Sequence, residues 1–108
     1  MEIDLWRGPS GRCPVADFLS GLPKKKMARV QKRLEQLEGL ITEWGIGRLI
    51  VSGILEKLSP HDLYEITVTE VRILGCLEGN KLILTHAFKK KTQKIPIKEI
   101  EVAKGRCA

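Results

Sequence analysis

The residues best suited to chemistry are cationic. Arg72 stands early in one apolar run, and Lys89, Lys90, Lys91 and Lys94 close the next in "THAFKKKTQKIP", Thr85 to Pro96. A guanidinium grips phosphate oxygens through two parallel hydrogen bonds and stays charged at physiological pH. His61, in "SPHDLYE", is either an acid/base candidate or an ordinary turn residue. The carboxylates form no obvious pair. No G-x-x-x-x-G-K, H-E-x-x-H or C-x-x-C is present, so no metal site is expected.

Charge distribution points the same way. The net charge is +6. Residues 24–33 hold Lys24, Lys25, Lys26, Arg29, Lys32 and Arg33 without one acid, and residues 89–106 are also strongly basic. The remainder of the chain is net negative. Lysines at a helix N-terminus repel its positive dipole end unless solvent or an anion offsets them. Two such blocks suggest a footprint for a polyanion or an acidic protein.

These residues need a scaffold. At 108 residues and 43% apolar, the chain is expected to form a single domain over residues 1–108. No stretch reaches the roughly 20 apolar residues that span a bilayer, so no membrane partner is expected. "MEIDLWRG" carries no signal-peptide pattern, which points to the cytoplasm. Cys13, Cys76 and Cys107 fit no disulfide framework, so reduced thiols are expected, with Cys107 as a mobile terminal thiol.

Hydrophobic periodicity sets the elements. Glu2–Arg7 alternates like a short strand, and Pro14–Leu19 reads as a short helix with proline in its first turn. From Pro23 to about Trp44, the residues Met27, Val30, Leu34, Leu37, Ile41 and Trp44 recur every three or four positions. That stripe predicts a long helix packed on the domain's own sheet in preference to a coiled-coil seam. Ile46–Leu58 reads as loop with strand character. Leu63–Thr69, Val71–Leu77 and Lys81–Phe88 read as strands joined by Thr69-Glu70 and Gly79-Asn80 turns, and Pro96 opens a last helix.

These turns fix a register. Thr67 is expected opposite Arg72, Glu65 opposite Leu74, Arg72 opposite Ala87, and Ile73 opposite His86. Side chains alternate, so Tyr64, Ile66, Val68, Val71, Ile73, Leu77, Leu82, Leu84, His86 and Phe88 are assigned to a core face. Glu65, Thr67, Arg72, Leu74, Cys76, Ile83, Thr85 and Ala87 take the other. On that face Arg72 either pairs with Glu65 or binds a phosphate. His86 reads as a buried structural histidine.

The stretch "LYEITVTEVRILGCLEGNKLILTHAFKKKTQKIPIKEIEVAKGR" resembles the phage-derived, HigB-like branch of the RelE/ParE toxin superfamily. The shared pattern is Leu63-Tyr64-Glu65, Arg72, the Gly79-Asn80 hairpin, His86 to Pro96, and Glu99 to Ala103. The resemblance implies an α+β, RelE-like fold: a small antiparallel sheet, two N-terminal helices and a C-terminal helix. It implies a type II toxin acting as a metal-independent, ribosome-dependent mRNA endonuclease that uses no cofactor. A small, helix-turn-helix antitoxin would neutralise it. Arg72 and Lys91 would carry catalysis with His61, while Lys89, Lys90, Lys94 and the Thr67 position would contact RNA. Relatives often place an arginine where Thr67 stands, so this site is expected to lack one cation. The alternatives are a ParE-like gyrase inhibitor and a non-catalytic phage-derived nucleic-acid-binding protein.

Overall fold

In the computed structural model, which describes residues 3–58, 60–91 and 94–107, the helices and strands alternate as an α+β fold. The order is β1 (Ile3–Leu5), α1 (Pro14–Ser20), α2 (Lys24–Trp44), α3 (Ile46–Val51), β2 (Glu56–Leu58), β3 (Leu63–Val68), β4 (Val71–Glu78), β5 (Lys81–Lys89) and α4 (Ile97–Arg106). The strands lie side by side as β1-β5-β4-β3-β2. β2 to β5 pair antiparallel, as expected, but β1 joins β5 in parallel, so the sheet is mixed. The architecture is compatible with a small RelE-like fold.

The α2 stripe does the work its spacing implies. Val30, Leu37 and Ile41 are buried against the sheet with Ile66, Ile73 and Leu84, and Met27 and Leu34 pack at the margin of that core. Only Trp44, at the last turn, stays exposed. Gly45, at φ +84°, then breaks the helix, a conformation open to glycine at little cost.

The following segment departs from expectation. Ile46–Leu58 is not a loop: it forms α3 and then β2. Ile46, Leu49 and Ile50 fall at helical spacing, and Leu49 is fully buried. Core burial therefore outweighs the weak helix propensity of a stretch containing Gly47 and β-branched residues. Among the described residues three helices, not two, precede the main strands.

The β4–β5 pairing follows the expected register only near the turn. Glu78 pairs with Lys81 and Gly75 with Leu84, but Leu74 pairs with His86, Ile73 with Ala87 and Arg72 with Phe88. Thr85 is the extra residue of a β-bulge. Its hydroxyl donates to the Leu74 carbonyl at 3.3 Å, and its own carbonyl accepts from Arg106 Nη1 at 2.9 Å. Gly75 makes the bulge possible, because a Cβ there would lie 2.5 Å from the Ile83 carbonyl oxygen.

One extra residue reverses every later side chain. Ala87 turns into the main core, while His86 and Phe88 turn to the opposite face, contrary to the assignment from a regular hairpin. There Phe88 packs with Leu63, Leu74 and Ala103, so α4 lies across the face that also carries Glu65 and Arg72. His86 lies 3.1 Å from Glu99 and stacks near Phe88, with Arg106 bridging to Trp6.

The expectation of reduced, unpaired thiols is also corrected for two of the cysteines. Cys76 and Cys107 are disulfide-bonded, with Cα atoms 6.3 Å apart, and Cys13 alone is free and buried. The bond joins β4 to the residue that ends α4 and pins this helix to the sheet. It closes a loop of 31 residues, so reducing it is expected to cost about 3–4 kcal/mol of stability. Thermal unfolding with and without a thiol reductant checks this; Cys107→Ser should be insensitive to the reductant. Separately, Gly75→Ala should destabilise the protein by about 1–3 kcal/mol through overpacking, read as a lower urea midpoint.

Candidate nucleic-acid interface

The β3–β4 register places Thr67 directly opposite Arg72, as expected, and Glu65 opposite Leu74. β2 then adds a pairing that the sequence did not disclose: Glu56 lies directly opposite Glu65. Two carboxylates thus meet on one face, where none was expected to pair.

Glu65 is the buried member, with its side chain 5% exposed. Arg72 Nε approaches its Oε2 at 3.5 Å, an ion pair at the outer limit of hydrogen-bond reach and not a hydrogen bond. Oε2 is left as a buried acceptor with no hydrogen-bond partner among the described residues. Burial is the largest influence and pushes the Glu65 pKa up, and a hydrogen bond with Glu56 pushes it further. Lys90 and Arg72 oppose both effects. The net direction is upward, with Glu56 exposed beside the buried Glu65.

Arg72 is less free than a bare phosphate clamp. Its Nη1 donates to the Thr69 carbonyl at 2.6 Å and to the Val71 carbonyl at 3.1 Å. Thr69 sits at φ +53°, the left-handed conformation that the tight β3–β4 turn imposes on a non-glycine residue. Arg72 thus braces the turn with one nitrogen and faces Glu65 with another.

A cavity of about 470 Å³ opens over the carboxylate pair and is lined by Glu56, His61, Glu65, Lys90, Lys94 and Ile100. His61 is half-buried at its wall. Lys90 is fixed from behind, because its backbone N–H donates to the Glu70 carbonyl at 2.8 Å. Glu70 in turn pairs with Lys26 of α2, which holds the Glu70 carboxyl down to about 2. That lowered value stabilises the fold above the ordinary carboxylate range, and the contribution is lost as pH falls toward 2.

The structure gathers some of the expected site residues and leaves others apart. His61, Lys90 and Lys94 share the cavity, and Arg72 stands behind it against Glu65. Thr67 is exposed and lines an adjoining space of about 270 Å³ with Arg33, Glu56 and Glu65. Lys89 and Lys91 are exposed and line neither space. Thr92 and Gln93 of the basic segment lie outside the described residues. Sequence reasoning missed Glu56 as a partner of Glu65. The available signal was the short Leu58/Leu63 symmetry about Pro60-His61-Asp62, which reads as a third hairpin once Ile46–Leu58 is not treated as loop.

A sheet with helices on both faces and a cavity lined by lysines and a carboxylate pair define a small α+β protein. The model of the family described as phage-derived protein, Gp49-like (DUF891), matches residues 17–108, and the chain belongs to this family. Membership is consistent with a toxin of a toxin–antitoxin pair. No curated protein matches the sequence significantly. No helix among the described residues is long and apolar enough to cross a membrane.

The raised Glu65 pKa has a consequence for stability. A carboxyl whose folded pKa lies above its unfolded value binds more protons in the folded state, so stability falls as pH rises from about 4.5 through the folded value. Glu65→Gln should remove that decline and leave the protein more stable than the wild type at neutral pH. Urea midpoints between about pH 4 and 8 measure the difference.

Proposed function

We propose that the protein is the toxin of a type II toxin–antitoxin pair and cleaves mRNA on the ribosome without a metal ion or cofactor. A small helix-turn-helix antitoxin neutralises it. The observation that carries this reading is the convergence of His61, Lys90 and Lys94 on one cavity floored by the Glu56–Glu65 pair. Membership of the Gp49-like family supports the toxin assignment.

The reaction class is attack of a ribose 2′-hydroxyl on the adjacent phosphate. The O2′–P bond forms, the P–O5′ bond breaks, and the products carry a 2′,3′-cyclic phosphate and a 5′-hydroxyl. Glu56, the exposed carboxylate of the pair, accepts the 2′-hydroxyl proton. His61 as an imidazolium donates a proton to the leaving O5′. Lys90 and Lys94 face the charge that grows on the non-bridging oxygens. Arg72 positions Glu65 and adds positive potential behind the phosphate. Lys89 and Lys91, exposed beside the cavity, bind flanking RNA, and the Lys91 role is thus moved from catalysis to binding.

Induced expression should arrest growth and cleave transcripts, and Arg72→Ala, checked for folding by circular dichroism, should lower cleavage by about a hundredfold or more. Undiminished toxicity in that variant contradicts the site assignment. A second reading has its own support. Arg72 is committed to two backbone carbonyls and Glu65, and Thr67 opposite it brings no charge, which favours nucleic-acid binding without cleavage. Salt-dependent RNA binding with intact transcripts in a translating extract distinguishes it. Growth arrest with DNA damage and intact mRNA distinguishes the gyrase-directed alternative.

A further inference from the structure

α2 does more than cover the core. Lys26 and Arg33 are seven residues apart, so at 100° per residue they lie within about 20° of one line along the helix. Lys26 meets Glu70 at the β3–β4 turn. Val30 and Leu37, on the adjoining line, are buried against the sheet and fix the helix rotation. Arg33 stands roughly 10 Å further along the axis. Counting back from Glu70 along β3, about the same distance leads to Thr67. The structure agrees, because Arg33 and Thr67 line the same space, together with Glu56 and Glu65.

Three observations make this guanidinium unusual. Arg33 is half-buried, yet it has no ion-pair partner among the described residues, although two carboxylates line the same space. Glu65, more than nine-tenths buried, lines the same space, and its Oε2, 3.5 Å from Arg72 Nε, has no hydrogen-bond partner among the described residues. The space adjoins the candidate catalytic cavity through Glu56 and Glu65, which line both. β2 ends its pairing at Glu56, so β3 is uncovered beyond that point and a side chain from α2 can reach round the sheet edge.

We propose that Arg33 is a second phosphate-binding residue of this site, gripping the RNA phosphate next to the scissile one in the space beside Thr67. The inference rests on the RNA-directed reading of the cavity. A guanidinium there supplies two parallel donors that Arg72, tied to the Thr69 and Val71 carbonyls, does not offer. It also explains why the position opposite Arg72 can be a threonine: the cation comes from the neighbouring helix rather than from the sheet.

Binding of a short 2′-O-methyl oligoribonucleotide, which lacks the attacking hydroxyl, tests this separately from cleavage. The wild-type protein, Arg33→Ala, Arg33→Lys, the double variant Arg33→Ala/Thr67→Arg, and Lys104→Ala as an exposed control on α4 are titrated at several salt concentrations. Arg33→Ala should weaken binding about tenfold or more, and its log–log salt slope should fall by about 0.7, the loss of one phosphate contact on a single strand. Arg33→Lys should keep the slope and lose affinity, and Thr67→Arg in the double variant should restore the slope. Lys104→Ala and the thermal midpoint of Arg33→Ala should match the wild type. An Arg33→Ala slope equal to that of the wild type overturns the proposal, as does a wild-type protein that fails to bind at low salt. A wild-type protein that binds with the expected Arg33 dependence but cleaves no mRNA contradicts the nuclease reading alone.

Discussion

A carboxylate buried beside an arginine in the middle of a sheet is costly unless something uses it. Glu65 sits on β3 under α4, meets Glu56 across the β2 pairing, and faces Arg72 from the next strand. Removing a charge from water costs several kcal/mol, and the 3.5 Å contact with Arg72 is too long to repay it as a hydrogen bond. Burial raises the Glu65 pKa, and Lys90 and Arg72 nearby oppose the rise. The cavity above it is lined by His61, Lys90 and Lys94 as well. A fold concerned only with stability would be served better by an apolar residue at this position.

The surrounding architecture holds this arrangement in place from three sides. α2 anchors the β3–β4 turn through Lys26 and Glu70, and the same turn fixes the Lys90 backbone and the Arg72 guanidinium. α4 closes the far side over Phe88 and Leu74, and the Cys76–Cys107 bond secures its end. The bulge at Thr85 connects the two. It turns Phe88 toward α4 and Ala87 into the core beneath α1 and α2, so both faces of the sheet receive an apolar surface from the same strand.

Much of this was legible in the residues. The α2 stripe, both tight turns, the Thr67–Arg72 pairing and the start of α4 follow from spacing and turn chemistry alone. What escaped did so for identifiable reasons. The Thr85 bulge depends on a close backbone approach at Gly75, which leaves no trace in an apolar/polar pattern, and so His86 and Phe88 were placed on the wrong face. α3 forms because Leu49 is buried, a tertiary effect that overrides local preference. The Glu56–Glu65 pair depends on β2, a strand of three residues inside a stretch that reads as loop. The disulfide joins residues 31 apart that only α4 brings together. In the sequence Arg33 is one cation of a basic block, and its place beside Thr67 depends on how α2 packs against β3.

The central claim is that the cavity over Glu56 and Glu65 cleaves RNA by attack of its own 2′-hydroxyl. The most direct measurement is the chemistry of RNA ends after the protein is added to a translating extract. Cleaved messages bearing 2′,3′-cyclic phosphate and 5′-hydroxyl termini are the predicted result, and they should vanish with Glu56→Gln. Intact messages, or fragments ending in a 5′-phosphate, would contradict the account.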